Sequence, residues 1–126
     1  MSDKKTVLIV EDEKLLSQAI KIKLEKNNFL VHEAFDGQEG LAKALEKHPD
    51  IILLDLILPV MDGVTLLEKL REDDWGKNVP IIILSNLSDA SLIEESKEKG
   101  VNSYLIKTDW KLDQVVEKVR EAVDKA

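Results

Sequence analysis

Four places in this 126-residue chain carry side chains that could act together on phosphate and a metal: Glu11-Asp12, Asp55, Ser85 and Lys107. Each closes a short apolar run. Thr6–Val10 leads into the acid pair, Ile51–Leu54 into Asp55, Pro80–Leu84 into Ser85 and Val101–Ile106 into Lys107. Three carboxylates gathered in one crevice repel, by roughly 4 kcal/mol per pair at about 4 Å and an effective dielectric near 20. A hard divalent cation with oxygen ligands relieves this. Mg²⁺ suits it, because it takes a few carboxylates, keeps waters and accepts phosphate oxygens, and Mn²⁺ could substitute. Lys107 adds a mobile positive charge, and Ser85 a hydroxyl that can donate to an incoming oxygen. Such a set describes a phosphoryl site with an aspartate nucleophile, the metal and lysine neutralising developing charge. Each piece alone has an ordinary explanation. Acids suit a helix N-terminus, a strand-end serine is usually a turn residue, and a strand-end lysine is normally solvated. The joint occurrence at four strand ends carries the weight.

The positioning elements follow from periodicity. After Thr6–Val10, the residues Leu15, Leu16, Ala19, Ile20 and Leu24 recur at helical spacing, and the helix closes near Asn27-Asn28. Phe29–Ala34 reads as a second strand, ending at the apolar Phe35, away from the site. Asp36-Gly37 reads as a turn. A second helix carries Gly40, Leu41, Ala44 and Leu45 and ends at His48-Pro49. The run Ile51–Leu54 is apolar throughout, as expected of a strand covered on both faces. Met61-Asp62-Gly63 opens a third helix bearing Val64, Leu66, Leu67 and Leu70, which ends around Asp73–Gly76. Asp89 is the expected N-cap of a fourth helix and Gly100 its stop. Leu112, Val115, Val116, Val119 and Val123 stripe the last helix. Strict strand–helix alternation with short loops predicts a parallel sheet with right-handed crossovers. In such sheets the functional crevice lies outside the carboxyl ends of the strands.

Composition narrows the alternatives. The chain suits one domain, residues 1–126, and at 44% apolar and 34% charged it can bury a sizeable core. There are no cysteines, hence no disulfide, thiolate metal site or thiol nucleophile. A net charge of −7 disfavours direct binding of nucleic acid, which needs clustered lysine and arginine. No segment approaches a membrane span or a signal-peptide core, so membrane insertion is not expected and a cytoplasmic location is. The five glycines form neither Gly-x-Gly-x-x-Gly nor a Walker loop.

With these residues in place, the chain resembles the receiver domain of bacterial two-component response regulators along essentially its whole length. The carrying motifs are Val7–Glu13, Pro49–Gly63, Pro80–Ser85 and Tyr104–Lys107. The resemblance implies an α/β, flavodoxin-like (βα)5 doubly wound parallel sheet of strand order 2-1-3-4-5. It implies that Asp55 accepts a phosphoryl group from a histidine kinase or histidine phosphotransfer protein. Asp12, Glu11, Asp55 and the backbone carbonyl of Ile57 would ligate Mg²⁺. Ser85 and Lys107 would bind phosphoryl oxygens, with Asn86 beside them, and Ser85 and Tyr104 would form the switch. The face of the fourth helix, fifth strand and fifth helix would dock a downstream protein, from a monomer or weak dimer with no output domain of its own.

The chain departs from the family pattern at four points. Glu11-Asp12 stands where two aspartates are commoner, and Asn86 where Ala or Gly is usual. Thr108 replaces a proline preceded by a cis bond, which without proline costs about 2.5–4 kcal/mol. Asn102-Ser103 replaces acidic residues used in receiver dimers. Apolar Ile57 and Leu87, two residues past Asp55 and Ser85, would not orient a water, which implies slow loss of the phosphoryl group. An aspartyl-phosphate phosphatase would need a second acid at position 57, where Ile57 stands. A phosphorylation-independent interaction module would typically lack the acids or the lysine that this chain keeps. The expectation is a signalling phosphoacceptor and not an enzyme.

Overall fold

The computed structural model describes residues 4–86, 89–107 and 111–124. Five strands alternate with five helices: β1 (Lys5–Val10), α1 (Lys14–Lys26), β2 (Phe29–Ala34), α2 (Gly37–Lys47), β3 (Ile51–Asp55), α3 (Gly63–Glu72), β4 (Ile81–Ser85), α4 (Ala90–Lys97), β5 (Ser103–Ile106) and α5 (Leu112–Asp124). The strands form one parallel sheet in the order β2-β1-β3-β4-β5. This is the flavodoxin-like arrangement expected from the sequence.

The pleat divides the apolar runs between two cores. Val7, Ile9, Ile51, Leu53, Ile82 and Leu84 meet Ile20 and Leu24 of α1 and Val115, Val116 and Val119 of α5. Their neighbours Leu8, Val10, Ile52, Leu54, Ile81 and Ile83 meet Ala44 of α2, Leu66, Leu67 and Leu70 of α3 and Ile93 of α4. Alternate side chains of a strand point to opposite faces, so an unbroken apolar run is what a doubly covered strand requires. Among the described residues no helix is long and apolar enough to cross a membrane.

The helix stripes differ from expectation in places. Leu15 is 84% exposed, because α1 turns Ser17, Ile20 and Leu24 inward and Leu15 lies roughly 200° around the helix from Ser17. The buried Ser17 hydroxyl donates to Glu33 Oε2 at 2.6 Å, which accounts for a polar residue in that stripe. Leu45 is also exposed. Asp36 is the N-cap of α2, its Oδ1 accepting the Glu39 N–H, so Asp36-Gly37 opens a helix and is no independent turn. Asp89 precedes α4 but its carboxylate makes no cap bond; it accepts the N–H of Asn86 instead. β5 begins at Ser103 because Asn102 bonds at the mouth of β4, accepting the Ile81 N–H on Oδ1 and donating its own N–H to the Ile81 carbonyl. Gly100, with φ of 79°, ends the α4 segment as expected.

Candidate functional site

β1, β3 and β4 end level with one another, Val10 opposite Leu54 and Asp55 opposite Leu84, while Ser85 stands opposite Ile106 of β5. The register alone therefore brings residues 11, 55, 85 and 107 to one edge. Two further backbone features shape that edge. The Lys107 N–H donates to the Ser85 carbonyl at 2.6 Å, which fixes the lysine beside the serine. The β3–α3 loop folds back so that the Gly63 N–H reaches the Leu56 carbonyl at 2.9 Å. A Cβ at Gly63 would sit 2.4 Å from the Asp55 carbonyl oxygen, so this return requires glycine.

The side chains converge as the residue types suggested. Carboxylate oxygens of Glu11, Asp12 and Asp55 lie within 4.8 Å of one another. Glu11 is fully buried and Asp55 nearly so, whereas Asp12 is exposed. Lys107 Nζ stands between the buried pair, 3.0 Å from Asp55 Oδ2 and 2.7 Å from Glu11 Oε1. Its directed hydrogen bond goes to Asp55, and the approach to Glu11 is a charge contact. Asp55 Oδ1 accepts the Ile57 N–H at 3.1 Å, and Glu11 Oε2 the Glu13 N–H at 3.0 Å. The Ser85 hydroxyl is buried at the same edge with no hydrogen-bond partner among the described residues.

One ammonium shared by two buried carboxylates leaves the cluster acid-rich, and the ionisation of its members reflects that. Burial pushes the Glu11 carboxyl from 4.5 up to about 7; the Asp55 charge adds to the rise, while Lys107 and the Glu13 N–H oppose it. Burial likewise raises Asp55, against the pull of Lys107 and the Ile57 N–H. Burial alone would lower Lys107, but its contacts with Glu11 and Asp55 outweigh that and raise it. Three converging carboxylates, two of them reluctant to ionise, are a donor set that fits a hard oxygen-seeking cation. Glu11, Asp12 and Asp55 would hold it.

The remaining predicted positions are more peripheral. Ile57 is half exposed, and its N–H, unforeseen in the sequence, orients the Asp55 carboxylate. Asn86 is exposed at the rim, bonded through its backbone to Asp89. Tyr104 is 40% exposed with Lys97 Nζ 4.7 Å from its ring centroid, a cation–π contact between β5 and α4 that no sequence spacing signals. Leu87 and Thr108 lie outside the described residues, so the isomer of the Lys107–Thr108 bond does too. Backbone contacts missed in the sequence also frame the rim. The Pro59 carbonyl accepts from Gly37 of α2 and from Met61, holding Val60 at φ of 70°.

Known proteins resemble this chain in sequence and in fold. The transcriptional regulatory protein SrrA of Staphylococcus aureus is 41% identical over 101 residues, covering 80% of this chain and 41% of that protein. The chain spans less than half the length of such curated relatives. The receiver domain of the Francisella response regulator 1452 superposes with a TM-score of 0.87 at 33% identity, covering 97% of this chain and 98% of that one. The receiver domain of the sensor histidine kinase PA1611 of Pseudomonas aeruginosa, solved with a magnesium ion coordinated in its active-site cleft, gives a TM-score of 0.87 at 27% identity, covering 97% and 99%. Residues 7–120 match the response regulator receiver domain, and the chain belongs to that family.

Proposed function

We propose that Asp55 is the phosphoacceptor of a two-component relay. A carboxylate oxygen of Asp55 attacks the phosphorus of a phosphohistidine on a histidine kinase or phosphotransfer protein. The new O–P bond forms as the P–N bond breaks, and the imidazole nitrogen keeps the electron pair. The observation that carries this reading is Lys107 Nζ, poised between Asp55 and Glu11 at the sheet edge that also holds the buried Ser85 hydroxyl, which has no hydrogen-bond partner among the described residues. As charge moves onto the phosphoryl oxygens, the lysine follows it and the Ser85 hydroxyl gains an acceptor. Mg²⁺, or Mn²⁺ in its place, would neutralise the oxygens when held by Glu11, Asp12, Asp55 and the Ile57 carbonyl.

Movement of Ser85 toward the phosphoryl group would draw Tyr104 from its half-exposed position and alter the face formed by α4, β5 and α5. That face would then bind a downstream protein. Asn102 already spends its side chain on Ile81, and with Ser103 it gives this face no acidic pair for dimerisation, in keeping with a monomer or weak dimer. A cytoplasmic location fits such a partner. The chain would act as a stoichiometric acceptor and not a turnover enzyme, since Ile57 offers no side-chain acid or base beside Asp55. For the same reason the phosphorylated form should persist well beyond seconds; loss within seconds, followed by intact-mass measurement, would contradict this.

Mass spectrometry after incubation with acetyl phosphate and Mg²⁺ tests the assignment. One added phosphate is expected on the wild type and none on Asp55→Ala. Addition that survives in the variant would refute it.

A further inference from the structure

Arg71, on the last turn of α3, is used by nothing described above, yet it makes more bonds between elements than any residue of the site. Its guanidinium has no carboxylate partner among the described residues; burial alone lowers its pKa. It donates instead to four backbone carbonyls. Nη1 reaches Gly76 at 2.6 Å and Val79 at 3.0 Å, in the segment between α3 and β4. Nε reaches Lys99 at 2.8 Å and Nη2 reaches Gly100 at 2.8 Å, in the turn between α4 and β5. The planar fork of an arginine can serve four acceptors at fixed angles, which a lysine cannot.

The same turn is tied twice more. Lys99 Nζ lies 3.5 Å from Glu68 Oε1 of α3, and Asn102 is bonded to Ile81 at the start of β4. At the other end of α4 the described bonds are local: Asn86 and Asp89 bond each other and no other described residue. Between the ends, α4 buries only Ile93 and Ser96, whereas α3 buries five residues. Among the described residues the helix is thus clamped at its C-terminal end and lightly held along its length, and its other end is the one that follows Ser85 in the chain.

We infer that Arg71 is a positioning residue for signalling, the fixed pivot about which α4 and the start of β5 respond to changes at Ser85. A clamp of this kind turns a small displacement at the Ser85 end into a tilt of α4 against Tyr104, where an unclamped helix would shift as a whole. The pivot stands on the contacts themselves; its signalling role rests on the phosphoacceptor reading of Asp55.

The full chain provides the test, because Tyr104 is its single tyrosine and fluorotyrosine labelling gives one resonance. In Arg71→Met, amide hydrogen exchange across residues 97–103 should quicken at least tenfold, while acetyl phosphate still labels Asp55 to within about twofold of wild type. The fluorine shift produced by phosphorylation should shrink to less than half its wild-type size. Arg71→Lys should recover these properties only in part. Arg120→Met, which removes an exposed guanidinium bonded to Asn27, should change none of them. Unchanged exchange at 97–103, or a full phosphorylation shift despite faster exchange, overturns the proposal. Should Arg71→Met not fold, the wild-type Arg71 Nε–H decides: slow exchange with solvent supports the clamp and rapid exchange rejects it. A wild-type chain that takes no phosphoryl group sinks the phosphoacceptor reading and the relay with it, while the exchange arm still judges the clamp.

Discussion

Glu11 is the residue whose chemistry the fold changes most. In the folded chain its carboxyl sits near 7 against 4.5 ordinarily, chiefly through burial, so between those values the folded state holds a proton that the unfolded state has released. Stability must therefore fall as pH rises through that window, and the raised Asp55 acts in the same sense. Urea denaturation without divalent metal should show this decline; Glu11→Gln should flatten much of it, and saturating Mg²⁺ should reduce it by favouring the carboxylates. A slope of the opposite sign would mean that the site's acids are not buried as described. Ser85 gives a contrasting case. Its hydroxyl has no hydrogen-bond partner among the described residues, so Ser85→Ala should leave the stability of the unphosphorylated chain within about 1 kcal/mol of wild type. The same change should abolish most of the phosphorylation response at Tyr104, read by fluorine resonance. Asp62 and Asp89 look alike in sequence, each an acid before an apolar helix, and only their contacts separate them.

At the scale of elements those contacts become a prediction. Asp62 caps α3 fully, Oδ1 accepting the Thr65 N–H at 2.9 Å and Oδ2 the Thr65 hydroxyl at 3.1 Å. The Asp89 carboxylate turns back to Asn86 and leaves the first turn of α4 uncapped by its side chain. Asp62→Ala should cost about 1 kcal/mol and Asp89→Ala a few tenths at most, compared by chemical denaturation. Equal losses would show that the Asp89 contact is not what the geometry indicates. The five strands and five helices were legible from periodicity because apolar runs and helical stripes are local signals. Two of the departures arose where a side chain answered to a distant partner. Leu15 gave up its place in the α1 stripe to Ser17, whose hydroxyl has Glu33 of β2 to bond, and Asn102 delayed β5 by bonding Ile81.

The whole molecule is two cores separated by one sheet. Leu70 belongs to the core under α2, α3 and α4, and Val119 to the core under α1 and α5. Leu70→Ala should destabilise by about 3 kcal/mol and Val119→Ala by about 2 kcal/mol. As the two share no core cluster, the double variant should lose the sum to within about 0.5 kcal/mol. A marked departure from additivity, measured by urea titration of all three, would mean that the sheet couples the layers more tightly than the packing indicates. This two-layer build also explains the site. β1, β3 and β4 are covered on both faces where they approach it, so their ends are the place where polar groups can gather, and the parallel register gathers them on one edge with the end of β5.

The sequence by itself determined the alternation of elements, the parallel sheet and the identity of the acids, serine and lysine at the strand ends. Those signals are carried by neighbouring residues along the chain, and strand-end position follows once the strands are known. Only the tertiary structure decided how the site is balanced. That Lys107 divides one charge between Glu11 and Asp55, that Glu11 is fully buried while Asp12 is exposed, and that the Ser85 hydroxyl is buried without a partner among the described residues all depend on groups far apart in sequence. So does the clamp of Arg71 on four carbonyls, because a backbone oxygen has no sequence signature that an arginine could be matched to.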